Sequence, residues 1–313
     1  MPSRSPRRRI VVVGAHSQSL LLRVERVPGE GETVLGWEYE EPLDGGKATN
    51  QAVAAARLGA PVTFVTVFGN DGRGDRIRQY LEREHVDLAH AAVTDGPTDV
   101  GFVLLPRSGV PAIVTAADRN LQIDKALVER ASPAFEDASC VIAQLEAPQE
   151  AAIAAFELAR AHGATTILNP APAARLDARL VSLTDILVPN EHEAAFLAGR
   201  QAPVAELVEL VRRELAVPAV VVTAGPIGAF VAADGLQAVH VPAPRVDAID
   251  TTGAGDAFIG ALSSRLLLGH RLVNAVHFAV DYAARSVTRL GTMPAYPTPE
   301  EMTDHVPMTG GTG

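Results

Sequence analysis

Short apolar runs that alternate with longer helical stretches constrain the fold of this chain more than any other feature. The first run, Ile10–Val13, is rich in β-branched residues and stops at Gly14, as a strand does when helices cover both of its faces. Similar runs follow at 62–67, 140–143, 165–168, 185–188 and 220–223. Between them lie Ala- and Leu-rich stretches with helical spacing at 50–58, 74–84, 151–162, 204–215 and 256–268. This alternation predicts right-handed βαβ units and an α/β fold with a doubly wound, mostly parallel sheet flanked by helices.

Two segments break the alternation, at residues 32–41 and 98–116. Both contain strand-forming residues without a crossover helix after them, and the second is expected to form a hairpin that turns at residues 107–109. We therefore predict a small antiparallel β lid beside the main sheet. A lid at the carboxyl edge of the main sheet would close over a ligand.

Residues 10–300 are predicted to form one domain, flanked by two tails. The first tail, residues 1–9, carries Arg4 and Arg7–Arg9 among Ser and Pro. A nucleic-acid or targeting role is one interpretation of this run, and a solvated, disordered terminus is the one we favour. Residues 301–313 are expected to be a flexible tail.

Charge and apolar content exclude several classes of partner. The chain has a formal net charge of -10, which argues against a nucleic-acid partner, because phosphate binding needs a cationic surface. No apolar run approaches the roughly 20 residues of a membrane span, and Ile10–Val13 is too short for the apolar core of a signal peptide. Cys140 is the single cysteine, so neither an intramolecular disulfide nor a cysteine-built zinc site is expected. We expect a cytoplasmic location.

The segment Asp250–Phe258 carries the strongest chemical signal. It reads Asp-Thr-Thr-Gly-Ala-Gly-Asp-Ala-Phe and leads into an apolar helix. Its small residues permit a tight turn that an anion can approach, and the first amides of the helix offer partial positive charge. Asp256 at the same turn could accept the proton of an attacking hydroxyl.

The glycine motif and the α/β pattern allow three other interpretations. A Gly-x-Gly with an Asp helix cap is often only a turn, although the length of this motif makes that interpretation weak. The motif lacks the Gly-Lys-Ser/Thr ending of a Walker loop. A dinucleotide-binding oxidoreductase is disfavoured, because Gly14 after the first strand is not followed by the Gly-x-Gly-x-x-Gly pattern.

Five ordered segments together resemble the ribokinase-like, or pfkB, family of carbohydrate kinases. Residues 250–263 resemble its C-terminal signature, and Asp44–Gln51 is similar to its Gly-Gly-Lys-Gly-x-Asn-Gln signature. Further ribokinase-type segments lie at Gln144–Pro148, Asn169–Pro172 and Pro189–Glu193. The resemblance covers roughly residues 10–297 and implies an ATP-dependent phosphotransferase with an alcohol acceptor.

The resemblance implies a role for individual residues. Asp256 would be the catalytic base, and Gly253, Ala254 and Gly255 would form the anion hole. Asn190 and Glu193 would hold the ATP phosphates and a hydrated Mg²⁺, which is usually touched by few carboxylates; alone, Glu193 would be interpreted as a solvated acid at a helix start. The other implied ATP-binding positions are Thr223, Gly225, Gly228, Gly255 and Val280. The loop at 223–228 lacks the Ser-Arg that often stands between its glycines. His277 and Val280, taken alone, would be assigned to core or edge packing.

Two further sets of positions follow from the same resemblance. A monovalent cation, expected to be K⁺, would lie beside the anion hole at positions 250, 252, 286, 289, 291 and 295, which are Asp250, Thr252, Ser286, Arg289, Gly291 and Ala295. The acceptor would be bound by Ser17, Ser19, Asp44, Gly46, Lys47, Asn50, Glu146 and Asp256. Without its context, Lys47 would be taken for a surface lysine.

One departure from the family pattern bears on the acceptor. The family usually carries Asn-x-Asp after the first strand, where this chain has Ser17-Gln18-Ser19. Loss of the carboxylate should weaken binding of a ribose-like diol by roughly 1.5–3 kcal/mol. We hypothesise that ribose is not the main substrate, and that His16, Ser17, Ser19 and Asp44 recognise a modified sugar, a polyol or a nucleoside. The alternative is a true ribokinase in which Asp44 fills the vacated space.

Two more expectations concern activity and assembly. A ligand-binding or regulatory protein that kept the fold and lost phosphotransfer is the competing class, since fold does not fix function. The intact Asp250–Asp256 turn counts against it. The predicted lid would expose strand edges and apolar residues such as Trp37, Phe102 and Leu104, and exposed edges invite pairing. We therefore expect a homodimer through the lid.

Overall fold

The computed structural model describes residues 9–42, 44–108, 112–116 and 118–303. The strands are β1 Arg9–Val13, β2 Gln18–Val24, β3 Gly36–Glu40, β4 Val62–Val65, β5 Val67–Gly69, β6 Val86–Asp87, β7 Ala92–Thr94, β8 Val100–Pro106, β9 Ala112–Ala116, β10 Ala138–Ala143, β11 Thr165–Leu168, β12 Ile186–Leu187, β13 Ala219–Thr223, β14 Gly228–Ala233 and β15 Leu236–Pro242. The α-helices are α1 Gly46–Arg57, α2 Gly72–Arg83, α3 Lys125–Arg130, α4 Ser132–Phe135, α5 Gln149–His162, α6 Ala178–Ser182, α7 Glu191–Leu197, α8 Val204–Leu215, α9 Ala254–Leu267, α10 Leu272–Ser286 and α11 Pro299–Thr303. Short 3₁₀ turns lie at Asn120–Gln122, Gly225–Ile227 and Met293–Ala295.

The main sheet has the strand order β15-β14-β13-β12-β11-β10-β1-β4-β6. The strands from β13 to β6 are parallel, and β14 and β15 add an antiparallel hairpin at one edge. The predicted doubly wound, mostly parallel sheet flanked by helices is confirmed. The sequence-predicted strands fall on β1, β4 with β5, β10, β11, β12 and β13.

Helices cover both faces of this sheet, as the continuous apolar strands predicted. Ile10 and Val12 face one core with α1, α9 and α10, while Val11 and Val13 face the other with α5 and α8. All four side chains are buried, because successive residues of a strand point to opposite faces. Each such burial contributes about 1.5–3 kcal/mol relative to an exposed side chain.

A second sheet, the lid sheet, has the order β3-β2-β8-β9 and confirms the predicted lid beside the main sheet. It consists of two antiparallel pairs, β2 with β3 and β8 with β9. These pairs join through β2 and β8, which run parallel, a feature that the sequence analysis did not foresee. Parallel pairing needs a long crossover connection, and residues 41–99, which include α1, β4 and α2, provide it. The predicted turn at 107–109 includes Gly109, which lies outside the described residues.

The domain boundaries differ slightly from the prediction. Strand β1 begins at Arg9, whose guanidinium donates to Thr63 Oγ1 at 3.0 Å and lies 3.5 Å from the Asp87 carboxylate. Helix α11 continues to Thr303, three residues into the segment assigned to the C-terminal tail. The rest of both predicted tails lies outside the described residues. Among the described helices, none combines the length and apolar content that crossing a bilayer requires.

The sheet brings distant sequence segments to one edge. Parallel strands end at the same side, so the residues that follow β1, β10, β11, β12 and β13 lie along the carboxyl edge of the sheet. Those residues include Ser17, Glu146, Asn169, Asn190 and Gly225. Four of these five belong to the segments singled out by the sequence motifs, and Ser17 belongs to the segment that departs from them.

Candidate active site

The glycine-rich turn ends where α9 begins. Gly253 caps the helix with φ of 74°, a left-handed conformation that favours glycine, and its carbonyl accepts a hydrogen bond from Ala257 at 2.9 Å. The Ala254 amide already donates to the Thr251 carbonyl at 3.3 Å. Gly255 is exposed, and a Cβ added there would meet nothing within 4 Å, so the space in front of the helix start is open. The amides of the first turn therefore face an accessible space.

The Asp256 carboxylate is buried and held by two amides of α1. Asn50 Nδ2 donates to Oδ2 at 3.0 Å, and Gln51 Nε2 donates to Oδ1 at 2.9 Å. Lys47, Asn50 and Gln51 stand at positions i, i+3 and i+4 of one helix, so they share a face. The acid of the C-terminal motif and the polar face of the N-terminal motif are therefore in direct contact.

Gln51 was quoted in the N-terminal motif but given no function by the sequence analysis. Besides Asp256, it contacts Asn169 Oδ1 at 3.3 Å, and its own Oε1 accepts a hydrogen bond from Gln144 Nε2 at 2.6 Å. The Gln51 side chain therefore connects its own motif segment and those that contain Gln144 and Asn169 to the glycine-rich segment that contains Asp256. The helical spacing from Lys47 was the signal that could have assigned Gln51 to the site.

Burial and the Lys47 ammonium set the charge state of this centre in opposite directions. Burial raises the pKa of Asp256, while the Lys47 charge and the amide hydrogen bonds work against that rise. For Lys47, burial lowers the pKa, but the charges of Asp256, Glu146 and Glu193 outweigh it and the net pKa is raised. Lys47 is therefore the shared counter-charge of three carboxylates, which explains why a lysine is partly buried here.

Glu146 lies next to the glycines that open α1. Its Oε2 accepts a hydrogen bond from the Lys47 amide at 2.9 Å, and a Cβ added at Gly46 would lie 3.3 Å from the same oxygen. That Cβ would also lie 3.1 Å from Ser17 Oγ. Burial raises the pKa of Glu146 to about 7, with Lys47 opposing the rise. Ser17, Gly46, Lys47 and Glu146 are thus neighbours, as the acceptor site requires.

Asp44 and Ser19 meet at the start of the lid sheet. The Ser19 amide donates to Asp44 Oδ1 at 2.8 Å, and the Ser17 amide donates to the Gly45 carbonyl at 3.2 Å. Burial raises the pKa of Asp44, and hydrogen bonds from Ser19 oppose that rise. The carboxylate of Asp44 therefore lies against the backbone at the position where the family pattern places an acid.

His16 is buried and contacts Thr49 and Phe68. Its Nδ1 lies 3.1 Å from Thr49 Oγ1, and its ring lies 5.4 Å from that of Phe68. Burial lowers the pKa of His16 to about 4, so the imidazole is neutral near pH 7. Its predicted contact with an acceptor stays a prediction.

Asn190 and Glu193 cap the start of α7. Asn190 Oδ1 accepts from the Glu193 amide at 2.9 Å, and Glu193 Oε2 accepts from the Asn190 amide at 2.8 Å. Burial raises the pKa of Glu193, while the Asn190 hydrogen bond and Lys47 oppose it. A bridge to Thr223 ties Asn190 to the loop that follows β13. The alternative interpretation of Glu193 as a solvated acid does not fit its exposed fraction of 7%.

A cavity of about 1110 Å³ opens beside the start of α9. Besides Asn190 and Glu193, the resemblance assigned five positions to the nucleotide. All five line this cavity: Thr223, Gly225, Gly228, Gly255 and Val280. Its lining is largely apolar and includes Phe258 and Ile249. His277, by contrast, is exposed on α10 and does not line it. A largely apolar cavity whose lining includes Ala254 and Gly255 at the start of α9 suits a nucleotide.

Three of the six predicted cation positions meet through the Asp250 carboxylate. Oδ1 accepts from the Thr252 amide and Oδ2 from the Gly291 amide, each at 2.9 Å. Burial raises the pKa of Asp250, but these hydrogen bonds outweigh that effect. The net pKa is lowered, so the carboxylate is ionised. The side chain of Arg289 instead pairs with Glu301, and Ser286 donates to Ala283. The Ala295 amide donates to Thr292.

Tyr296 and Arg57 support the glycine turn and were missed by the sequence analysis. Tyr296 Oη donates to the Gly253 carbonyl at 3.2 Å, and Arg57 Nη1 donates to the Tyr296 carbonyl at 3.0 Å. Arg57 is the last residue of α1, the helix whose Asn50 and Gln51 bind the Asp256 carboxylate. These contacts therefore connect α1 to the glycine turn that precedes Asp256. No motif marked either residue, because their contacts join segments far apart in sequence.

Comparisons with known proteins match most of the length of this chain. Residues 7–299 match the family described as pfkB family carbohydrate kinase. A ribokinase of Staphylococcus aureus is 36% identical over 299 residues, covering 94% of this chain and 98% of the relative. A deoxyribokinase of Salmonella typhi is 33% identical over 306 residues, covering 95% and 98%.

Solved structures show the same architecture. The ribokinase of Arabidopsis thaliana, complexed with ribose and ATP, superposes with a TM-score of 0.88 at 26% identity. The match covers 94% of this chain and 97% of that chain. Nearly the whole length of each protein is therefore shared, including both the main sheet and the lid sheet.

Proposed function

This chain belongs to the pfkB family of carbohydrate kinases, and we propose that it transfers the γ-phosphoryl group of ATP to a hydroxyl of a small sugar, with Asp256 as the base. The observation that carries the proposal is the position of the Asp256 carboxylate. It is buried, fixed by Asn50 and Gln51, and attached to the helix start that opens on the large cavity. Base and anion-binding amides are thus held by one rigid element.

In the proposed reaction, Asp256 takes up the proton that the acceptor hydroxyl loses. An acceptor hydroxyl hydrogen-bonded to the carboxylate gives its proton to Asp256 as its oxygen bonds to the γ-phosphorus. The bond from that phosphorus to the bridging oxygen breaks in line, and ADP leaves. The amides near Gly253 and Gly255 stabilise charge on the transferring oxygens, and Lys47 supplies a cation on the acceptor side.

The residues around the cavity fit a nucleotide with a magnesium ion. The open space at Gly255 lets phosphate oxygens reach the amides of the first helical turn, and apolar Val280 and Phe258 suit a base. Asn190 and Glu193 would hold the phosphates and the hydrated Mg²⁺. When bound, Mg²⁺ neutralises charge on the phosphates.

We also propose a K⁺ site beside the anion hole, built around Asp250. Its ionised carboxylate holds the Thr252 and Gly291 backbone in place, so nearby carbonyl oxygens could face a cation. Asp250→Asn should raise the K⁺ concentration needed for half-maximal turnover. Equal activity in K⁺ and in tetramethylammonium would contradict a cation site.

Two alternatives concern the acceptor of the proposed reaction. The hypothesis that ribose is not the main substrate rests on Ser17 and Ser19 and stays a prediction. The alternative, a true ribokinase, is favoured by the hydrogen bond between the Ser19 amide and Asp44 Oδ1. It is also supported by the names of the S. aureus and A. thaliana relatives.

The proposal also includes the oligomeric state and the cellular location of the protein. Trp37, Tyr39, Ile113 and Val114 of the lid sheet are exposed, which supports a homodimer through the lid. Sedimentation at micromolar concentration should give twice the monomer mass, and a monomer alone would reject the dimer. The expected cytoplasmic location stays a prediction.

A phosphoryl-acceptor screen tests the proposed function. Purified protein with ATP, Mg²⁺ and K⁺ is given a panel of pentoses, hexoses, polyols and nucleosides, and ADP is measured with and without each acceptor. We expect ADP formation that depends on a sugar and matches the sugar phosphate formed. Binding of a sugar with no ADP or sugar phosphate above the acceptor-free rate would instead support the ligand-binding alternative.

A further inference from the structure

One side of the glycine turn before α9 faces the cavity, and its other side packs on buried side chains. On the cavity side, Ala254 and Gly255 belong to the lining. On the other side, a Cβ added at Gly253 would lie 2.8 Å from Tyr296 Oη and 2.9 Å from Thr292 Cγ2. Both of these side chains are buried and lie outside the lining of the cavity. The turn therefore rests directly on them.

The Tyr296 hydroxyl binds the backbone at the helix start. Its Oη donates to the Gly253 carbonyl at 3.2 Å, and the same carbonyl accepts the first intrahelical bond, from the Ala257 amide at 2.9 Å. Because a peptide unit is planar, fixing this carbonyl also fixes the N–H of Ala254, which belongs to the same unit. That N–H makes a long contact of 3.3 Å with the Thr251 carbonyl. The tyrosine thus acts from behind on the direction of an amide at the cavity.

The Arg57 guanidinium holds Tyr296 in place. Its Nη1 donates to the carbonyls of Met293 and Tyr296 at 2.5 and 3.0 Å. Its Nε donates to Glu84 Oε2 at 3.0 Å, while Nη2 donates to Tyr80 Oη at 2.9 Å and also binds Glu84 Oε1. These five contacts match the five N–H donors of a guanidinium, which form a rigid planar fork. The segment that carries Tyr296 is therefore fixed against the end of α1.

We propose that Tyr296 is a positioning residue for phosphoryl transfer, because its hydroxyl orients the Gly253–Ala254 peptide so that the amides of the helix start point at the transferring phosphate. Tyr296 acts through the glycine turn and touches neither the sugar nor ATP. Donors that are aligned beforehand stabilise the transition state more than the bound substrates, since they are aimed at charge that develops during the reaction. The inference rests on the proposed kinase function and adds a residue outside the glycine motif to it.

The variant Tyr296→Phe removes the hydroxyl and keeps the buried ring, so the fold should be preserved. Loss of one aligned hydrogen bond predicts a fall in kcat of about 3- to 10-fold, measured by steady-state kinetics with the best acceptor of the screen. KM for the sugar should change by less than about 2-fold, because an interaction made in the transition state lowers kcat and kcat/KM equally. Calorimetric titration should show an equally small change in ATP affinity.

Tyr282 offers a matched control in the same region. It is also buried, and its ring centroid lies 6.4 Å from that of Tyr296. Its hydroxyl donates to one backbone carbonyl, that of Pro297, at 3.1 Å. Tyr282→Phe therefore removes an equivalent hydrogen bond and leaves the glycine turn untouched. Both variants should lose a similar amount of thermal stability, and only Tyr296→Phe should lose turnover.

The kinetics are measured from low to saturating K⁺, because Ala295, a proposed cation position, precedes Tyr296 in the chain. The expected result is a loss of kcat that persists at saturating K⁺. Recovery of kcat at high K⁺ would assign the effect to the cation site and overturn the role of the hydroxyl. Equal losses in both phenylalanine variants, or full turnover in Tyr296→Phe, would overturn it while the kinase proposal stands. Absence of sugar-dependent ADP formation by the unmodified protein would overturn the kinase proposal itself, and this inference with it.

Discussion

The two ends of the proposed active site are built from different kinds of groups. The phosphate end, residues 190–193 and 250–258, relies on helix starts, a left-handed glycine and backbone amides. The acceptor end, residues 17–19, 44–51 and Glu146, relies on carboxylates, amides and a lysine from four separate elements or loops. The phosphate end follows the family pattern, and the acceptor end departs from it.

The difference reflects what each end must recognise. A phosphoryl group is the same in every member of the family, so a turn that presents N–H groups serves them all. Acceptor sugars differ in the placement of hydroxyls, and side chains can be exchanged without rebuilding the turn. The contact between Asp256 and the α1 amides is the point where the two ends meet.

The largest effect on turnover is expected when a side chain fills the open space in front of the helix amides at the phosphate end. In Gly255→Val the new Cβ meets no atom of the described residues within 4 Å and the side chain extends into the open space at the start of α9, so folding should be preserved. It should obstruct the approach of phosphate oxygens to the helix amides and lower kcat by about 10²- to 10³-fold. Steady-state kinetics with a thermal melt check both points.

Gly72→Val at the start of α2 is the matched control, because a Cβ there also meets nothing within 4 Å. It should leave kcat unchanged. Equal turnover of the Gly255→Val protein and the unmodified enzyme would show that the phosphate end does not depend on this backbone approach.

A smaller effect is expected where the two ends meet. Gln51→Leu removes the donor to Asp256 Oδ1 and should lower kcat by about 10- to 100-fold, because the base loses a charge-assisted hydrogen bond. The rise in the pKa of Asp256 that follows should move the pH profile of kcat toward higher pH. Gln149→Leu, whose amide donates to the Arg175 carbonyl at the surface, should change neither.

The smallest expected effect is on stability and arises at the acceptor end. Because Glu146 has a pKa of about 7 in the folded protein, above its ordinary value of 4.5, the folded state binds this proton more tightly than the unfolded state. The stabilisation is therefore present below about pH 4.5 and is lost as the pH rises through about 7. The difference corresponds to at most about 3 kcal/mol, or a few °C in Tm.

Thermal melts from pH 5 to pH 8 test this effect. Tm of the unmodified protein should fall across this range, and Glu146→Gln should flatten the fall. Burial also raises the pKa of Asp44 and Glu193, so part of the slope should remain in the variant. A slope that Glu146→Gln leaves unchanged would show that Glu146 is ionised throughout.

The difference between local signals and contacts of distant segments explains which elements the sequence could predict. Strand β11 and helix α8 lie within their predicted bounds, since continuous apolar runs and helical spacing are local signals. The glycine motif singled out Asp256 as the candidate base for the same reason. Strand β2 was missed because its partners, β3 and β8, come from distant segments.

Contacts between distant segments also account for the missed residues of the site. Gln51, Arg57 and Tyr296 act through hydrogen bonds to residues more than a hundred positions away or to the glycine turn. Asp44 was proposed as a replacement acid on position alone, and its contact with Ser19 depends on how the lid sheet meets the loop before α1.

In the proposed mechanism, one carboxylate accepts the proton of the acceptor, and the phosphate end binds the nucleotide independently of that carboxylate. Asp256→Asn keeps the size of the side chain and removes the base, so sugar-dependent ADP formation should fall by at least about 10³-fold. Calorimetry in parallel should show ATP affinity within a few-fold of the unmodified protein. Sugar-dependent turnover within 10-fold of that protein, with the variant folded and bound to ATP, would contradict the account.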